Sequence, residues 1–214
     1  MRHANANDAE IPFRVRIGVT GHRDPLDVHA LRAAVRQRLE EVRLRFTSDR
    51  SMHVTFVLLS ALAEGADRLV AEEARHVLAD PGLELHAVLP MRPEEYRKDF
   101  TAPGSAESFD QLLEPPTVKV PLPEATDRDE AYERAGQYVV DHSDVLIALW
   151  DGHPPAGRGG SAEVVVYARQ NSVPVLLIPT RRAGHPNREP RLPGWAREPW
   201  KGLDETAEPS ERTE

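Results

Sequence analysis

Short apolar runs rich in β-branched residues alternate along the chain with longer segments whose apolar positions recur at helical spacing. "FRVRIGV" (13–19) reads as a first strand and "PLDVHALRAAVRQRLEEVRLRF" (25–46) as a long helix, with Leu31, Val35, Leu39 and Val42 on one face. "HVTFVLLS" (53–60) predicts strand two, "ADRLVAEEARHVL" (66–78) a helix and "LELHAVLP" (83–90) strand three. The stretch 91–116 carries Pro93, Pro103, Gly104, Pro115 and Pro116 and breaks the rhythm, leaving room for short helices around 93–99 and 106–113. "TVKVPLP" (117–123) predicts a short fourth strand. "RDEAYERAGQYVVDH" (128–142) then reads as a helix, "DVLIALW" (144–150) as a buried strand, "SAEVVVYARQ" (161–170) as a helix and "VPVLLIP" (173–179) as the last strand. Strands alternating with helices imply βαβ units. The expected fold class is α/β, a mainly parallel sheet of about six strands with helices on both faces.

These elements place one folded body at 13–180, after a short N-terminal segment, 1–12, expected to be flexible, and before a tail, 181–214, rich in proline and charge. Two of the three tryptophans, Trp195 and Trp200, lie in that tail, and the sequence leaves open whether they dock on the body or on a partner. The formal net charge is −8, and residues 181–214 carry seven groups of each sign, so the excess of acid belongs to the body. An acidic body disfavours nucleic acid as a partner, because that binding rests on a basic surface. The 214 residues contain no cysteine, which excludes disulfides, thiolate metal sites and a cysteine nucleophile. The nine histidines show no metal spacing, so neither a metal nor a cofactor is expected. The N-terminus has no apolar run of signal-peptide type and no stretch approaches a membrane span, so no membrane association and a cytoplasmic location are expected.

Candidate chemistry concentrates at the carboxyl ends of the strands, where open parallel sheets hold ligands. "GVTGHRD" after strand one offers Gly18, Thr20, Gly21, His22 and Arg23, with Asp24 or Asp27 available to cap the next helix. "SALAEGAD" after strand two offers Ser60, Glu64 and Gly65, with Asp67 read as a carboxylate in the first turn of its helix. After the fifth strand come Asp151 and Gly152, then "GRGGS", with Arg158, Gly159, Gly160 and Ser161 entering a helix. Glycines beside a helix N-terminus leave backbone N–H groups and a positive dipole end open to a phosphate, with Ser161 able to cap the helix or donate to an oxygen. There is no GK[ST], and the loop after strand one lacks G-x-G-x-x-G, which argues against a P-loop ATPase and an ordinary dinucleotide-dependent dehydrogenase. In "PMRPEEYRKDF" after strand three, Arg97 could balance phosphate charge, and "EEYRKDF" could close as a lid with Tyr96 or Phe100 stacking on a base. An inward-packed amphipathic helix is the alternative.

Taken as a set, "IGVTGHRD", "LLSALAEGADRLVAEEA", "DVLIALWDG" and "GRGGSAEVVVYAR" resemble the SLOG superfamily of Rossmann-like domains, over about residues 13–180. That group includes the DNA-processing Smf proteins, the Lonely-guy phosphoribohydrolases and sensor domains. The resemblance implies a nucleotide or nucleotide-derived ligand, such as a relative of ADP-ribose, with its phosphate on Gly159, Gly160 and Ser161 and with Gly21, His22 and Arg23 alongside. It implies a sensor that signals to a separate effector protein or within a homo-oligomer, or alternatively an N-glycosidase acting on nucleoside 5'-monophosphates. For hydrolysis the candidate carboxylates are Glu163, Glu64 and Asp151. Glu163 follows Gly-Gly-Ser-Ala, one residue earlier than the glutamate in the Lonely-guy pattern G-G-x-G-T-x-x-E. One residue turns a helical side chain by about 100°.

Overall fold

The computed structural model describes residues 13–48, 53–154 and 158–200. The N-terminal segment 1–12 and the last part of the tail, 201–214, lie outside the described residues. Six strands, β1 (Phe13–Gly21), β2 (Val54–Ser60), β3 (Leu83–Val88), β4 (Val118–Val120), β5 (Val145–Trp150) and β6 (Val175–Pro179), form one sheet. Their order is β4-β3-β2-β1-β5-β6, and every pairing is parallel. This is a Rossmann-like α/β architecture.

Period-two alternation explains why both faces are covered. In β5, Val145, Ile147 and Leu149 join one core cluster and Leu146, Ala148 and Trp150 the other. The first face receives α1 (Val28–Phe46), α2 (Ala66–Val77) and α4 (Ser105–Leu113). The opposite face receives α5 (Arg128–Asp141) and α6 (Ser161–Gln170). Leu31, Val35, Leu39 and Val42 are the buried stripe of α1, as their spacing requires.

Three local expectations change. Helix α1 begins at Val28 rather than at Pro25, because Pro25 forms an antiparallel bridge with Arg182 and Asp27 adopts a left-handed backbone. Neither Asp24 nor Asp27 caps it: the Asp24 carboxylate accepts from the Gly184 N–H at 2.7 Å and from Arg182 at 3.1 Å, while Asp27 accepts from Arg181. Strand four shrinks to three residues, ending before Pro121. Between β3 and β4, α3 (Pro93–Tyr96) runs into a 3-10 turn (Arg97–Asp99).

The first twenty residues of the tail are laid along the body. Trp195 packs against the α5–α6 face, with the Arg169 guanidinium 5.0 Å from its ring centre. Trp200 packs on the opposite face beside Phe46 and donates its indole N–H to Glu41 at 2.7 Å. Both described tail tryptophans therefore dock on the body of their own chain. Trp200→Ala should lower stability by about 2 kcal/mol, less than a fully buried tryptophan because the ring is half-exposed. Chemical denaturation would read it, and an unchanged midpoint would show that the contact holds nothing.

Candidate functional site

Successive crossovers run outward from β1 through β2, β3 and β4, and the chain then returns to place β5 on the other side of β1. At this reversal the loops leaving β1 and β5 diverge toward opposite faces and open a crevice at their carboxyl ends. A cleft of about 700 Å³ sits there. Its walls come from the β1 loop, the β2 loop, the segment after β3, the N-terminal turns of α5 and α6, and the tail.

The rim loops are locked to one another by main-chain bonds. The Leu149 carbonyl accepts the N–H of His22, and the His22 carbonyl accepts the N–H of Ala66 at the start of α2. Gly65 has φ +77°, and a Cβ there would lie 2.4 Å from the Arg23 carbonyl oxygen, so only glycine lets the first two loops approach this closely. His22 Nε2 accepts the backbone N–H of Asp151 at 3.0 Å. An accepting nitrogen carries no proton, so His22 is neutral and its 3.4 Å approach to Asp151 Oδ1 is not an ion pair. Burial, then the nearby Arg182, lowers the His22 pKa in agreement with that tautomer. Asp151 Oδ1 accepts the N–H of His153, and the Asp151 carbonyl accepts the N–H of Arg191, fastening the tail to the rim.

The first glycine of "GRGGS", Gly157, lies outside the described residues, and the rest of the segment leads into α6. Gly159, Gly160, Ser161 and Ala162 line the cleft at the start of the ten-residue α6. Gly160, not Ser161, occupies the capping position, and its carbonyl accepts from Glu163 and Val164. Opposite stand Thr20, Gly21, His22 and Arg23. The Arg23 guanidinium lies 4.9 Å from the ring centre of Tyr132. Burial opposes its charge, but the Tyr132 hydroxyl and the fields of Tyr96 and Asp99 outweigh that and raise its pKa. Lys98, Arg128, Arg158, Arg182 and Arg188 also face the cleft, against Asp67, Asp99, Asp129 and Asp151. Basic side chains thus outnumber acidic ones locally in a chain whose overall charge is −8. Several are already held: Arg128 by Asp99 at 2.8 Å, Arg158 by Glu133 at 2.6 Å and Arg182 by Asp24.

The structure separates the sequence candidates. Glu163 turns back to accept the N–H of Gly159 and faces a shallow groove with Glu133 and Tyr167, outside the cleft. Glu64 is also outside, accepting from Thr101 and Ala102 at 2.8 and 3.0 Å; those bonds and Ser105 outweigh burial and lower its pKa. Gly18 packs below the rim, where a Cβ would strike Ser143 and Val139 of the α5 end, and Gly152 lies under the Arg191 backbone. Ser60 is buried and donates to Asp67 at 3.0 Å. Arg97 pairs with Asp110 and does not reach the cleft. Tyr96 and Phe100 pack edge-on with Phe109 in an aromatic cluster, so "EEYRKDF" is a fixed wall rather than a stacking lid.

Asp67 stands in the first turn of α2, as read from sequence, and in addition lines the cleft, where it is 4% exposed. Burial raises its pKa to about 6 against the bonds from Ser60 and Ala63 and the charges of Arg23 and Arg68. The other residues that sequence reasoning did not single out, Asp99, Arg128, Tyr132 and the tail's Arg182, His185 and Arg188, come from distant elements; the basic cluster in "TRRAGHPNR" hinted at the last three alone. Two more cleft residues, Tyr96 and Trp150, each hold a buried polar atom with no hydrogen-bond partner among the described residues, as does Arg68 elsewhere. Among the described residues no group of three or more His, Cys, Asp or Glu could hold a metal, and no helix is long and apolar enough to cross a membrane. No family model and no curated protein sequence matches the chain.

A carboxyl whose pKa is raised on folding favours the folded state when protonated, so its contribution falls as pH climbs from about 4 through about 6. The shift from 3.8 to about 6 corresponds to about 3 kcal/mol at neutral pH. Asp67→Asn should therefore stabilise the free protein more at pH 8 than at pH 5, read by thermal melts at both. A difference that does not change with pH would show that Asp67 is not the titrating group.

Proposed function

We propose that the protein binds a nucleotide or nucleotide-derived anion in the cleft above β1 and β5, as a sensor that passes the signal to a separate effector. The carrying observation is the juxtaposition of the glycine-flanked α6 N-terminus with Arg23 and the other cleft cations in an otherwise acidic chain. A helix N-terminus supplies N–H donors and a positive dipole end, and the guanidinium adds charge-assisted bonds, which together suit a phosphate. The resemblance of the rim loops to SLOG domains supports the same ligand class, ADP-ribose relatives included. The rim is cross-linked by main-chain bonds before any ligand arrives, which favours recognition with little reorganisation.

Hydrolysis of a nucleoside 5'-monophosphate at its N-glycosidic bond is the weaker reading. It needs a carboxylate beside the ribose. Of Glu163, Glu64 and Asp151 only Asp151 lines the cleft, and its Oδ1 is held by His153. What favours this reading at all is Asp67, a cleft carboxyl poised near neutrality, the range suited to proton transfer.

Thermal-shift screening of the full chain against nucleoside monophosphates and ADP-ribose, followed by chromatography for free base, tests both readings. A rise in melting temperature without base release is the expected result. Arg23→Ala should weaken binding roughly ten- to hundredfold, the loss of a hydrogen bond to a charged group, with little change in the melting temperature of the free protein. Unchanged affinity would remove Arg23 from the site, and release of free base would replace sensing with hydrolysis.

A further inference from the structure

On the α2 side of the cleft, two buried polar groups are left incompletely used. Asp67 Oδ2 accepts from the Ser60 hydroxyl at 3.0 Å and from the Ala63 N–H at 3.4 Å, while Oδ1 accepts nothing among the described residues. Tyr96 is fully buried, lines the same cleft, and its hydroxyl has no hydrogen-bond partner among the described residues. The two are near enough for the Asp67 charge to act on the Tyr96 phenol, yet no hydrogen bond joins them. Leaving a buried hydroxyl unpaired costs stability, and such groups in native structures call for a partner.

A carboxylate oxygen only accepts, and a phenol that has no acceptor of its own is available to donate. A phosphate oxygen beside Asp67 would meet like charge, so this end of the cleft does not suit the anionic part of a ligand. A hydroxyl satisfies both groups at once. We propose that Asp67 and Tyr96 form a hydroxyl-binding subsite, in which one sugar hydroxyl of the ligand donates to Asp67 Oδ1 and accepts from the Tyr96 phenol. The ligand class is thereby narrowed to sugar phosphates, with the phosphate on the α6 side and the sugar on the α2 side. Ser60 and the Ala63 N–H hold Asp67 in position, and the Phe100 and Phe109 rings, packed edge-on at 5.0 and 5.6 Å between centres, hold Tyr96. The subsite rests on the nucleotide reading above for its phosphate half.

Calorimetric titration of the full chain with ribose 5-phosphate and, separately, with inorganic phosphate tests it. Wild type should bind ribose 5-phosphate at least about tenfold tighter than phosphate, as expected of a site built to pair a hydroxyl. Asp67→Asn and Tyr96→Phe should abolish that advantage and leave phosphate affinity unchanged. A wild type that binds phosphate but gains nothing from the sugar overturns the subsite alone. One that binds neither overturns phosphate binding at the α6 N-terminus and the sugar phosphate ligand with it. The free protein gives an independent reading: Tyr96→Phe should melt at the same temperature as wild type or higher, because it deletes an unpaired buried hydroxyl. A fall of more than about 4 °C would assign that hydroxyl a structural role and overturn the proposal.

Discussion

Everything at the candidate site depends on β5 pairing with β1. The pair is entered by a two-way clamp: the Arg16 N–H donates to the Asp144 carboxylate at 2.7 Å, and the Asp144 N–H donates back to the Arg16 carbonyl at 2.8 Å. From there the register runs Ile17 against Val145 to Gly21 against Leu149, so both strands reach the rim together. Because β2 already occupies the other edge of β1, the crossovers on the two sides must cover opposite faces, and the space between their loops cannot be filled by either helix layer. The cleft is thus a consequence of strand order rather than of any one loop.

That gap is furnished by elements with different duties. The α6 start contributes backbone donors, whereas at the α2 start the first N–H, that of Ala66, is already taken by the His22 carbonyl. The two sides of the cleft therefore differ in character: the α6 N-terminus and its glycines on one, the buried Asp67 carboxyl of α2 and the Tyr96 phenol of α3 on the other. Between them lies a chain of bonded side chains, in which Asp99 accepts from both Arg128 and Tyr132, and Tyr132 underlies Arg23. Such a polarised cavity discriminates between the ends of a ligand, which a uniformly basic patch would not.

The tail adds a third layer of constraint. Arg182 and Gly184 are tied to Asp24, Arg191 to Asp151, and the Glu189 carbonyl to His153, so the segment after β6 borders the cleft before Trp195 and Trp200 anchor it on opposite faces. Two of the acidic residues that looked like helix caps from sequence, Asp24 and Asp27, serve this contact instead. Their competitors for the same carboxylates are more than 150 residues away along the chain, a distance over which local pattern has no reach.

The alternation of β-branched runs with helical periodicity determined the α/β class, the six strands and the buried stripe of α1, because burial against a sheet imposes periods of two and 3.6 on any chain that forms these layers. Gly-Gly-Ser before an amphipathic segment likewise marked the α6 start, since glycine beside a helix N-terminus is a local signal. The fate of each carboxylate was a tertiary decision. Glu163 and Glu64, carboxylates of the right type for chemistry, are spent on nearby backbone N–H groups, while Asp67 is held on the cleft wall by the Ser60 hydroxyl. Whether a side chain caps, pairs or faces a ligand depends on which donors the fold brings within about 3 Å. That is set by packing between elements far apart in sequence.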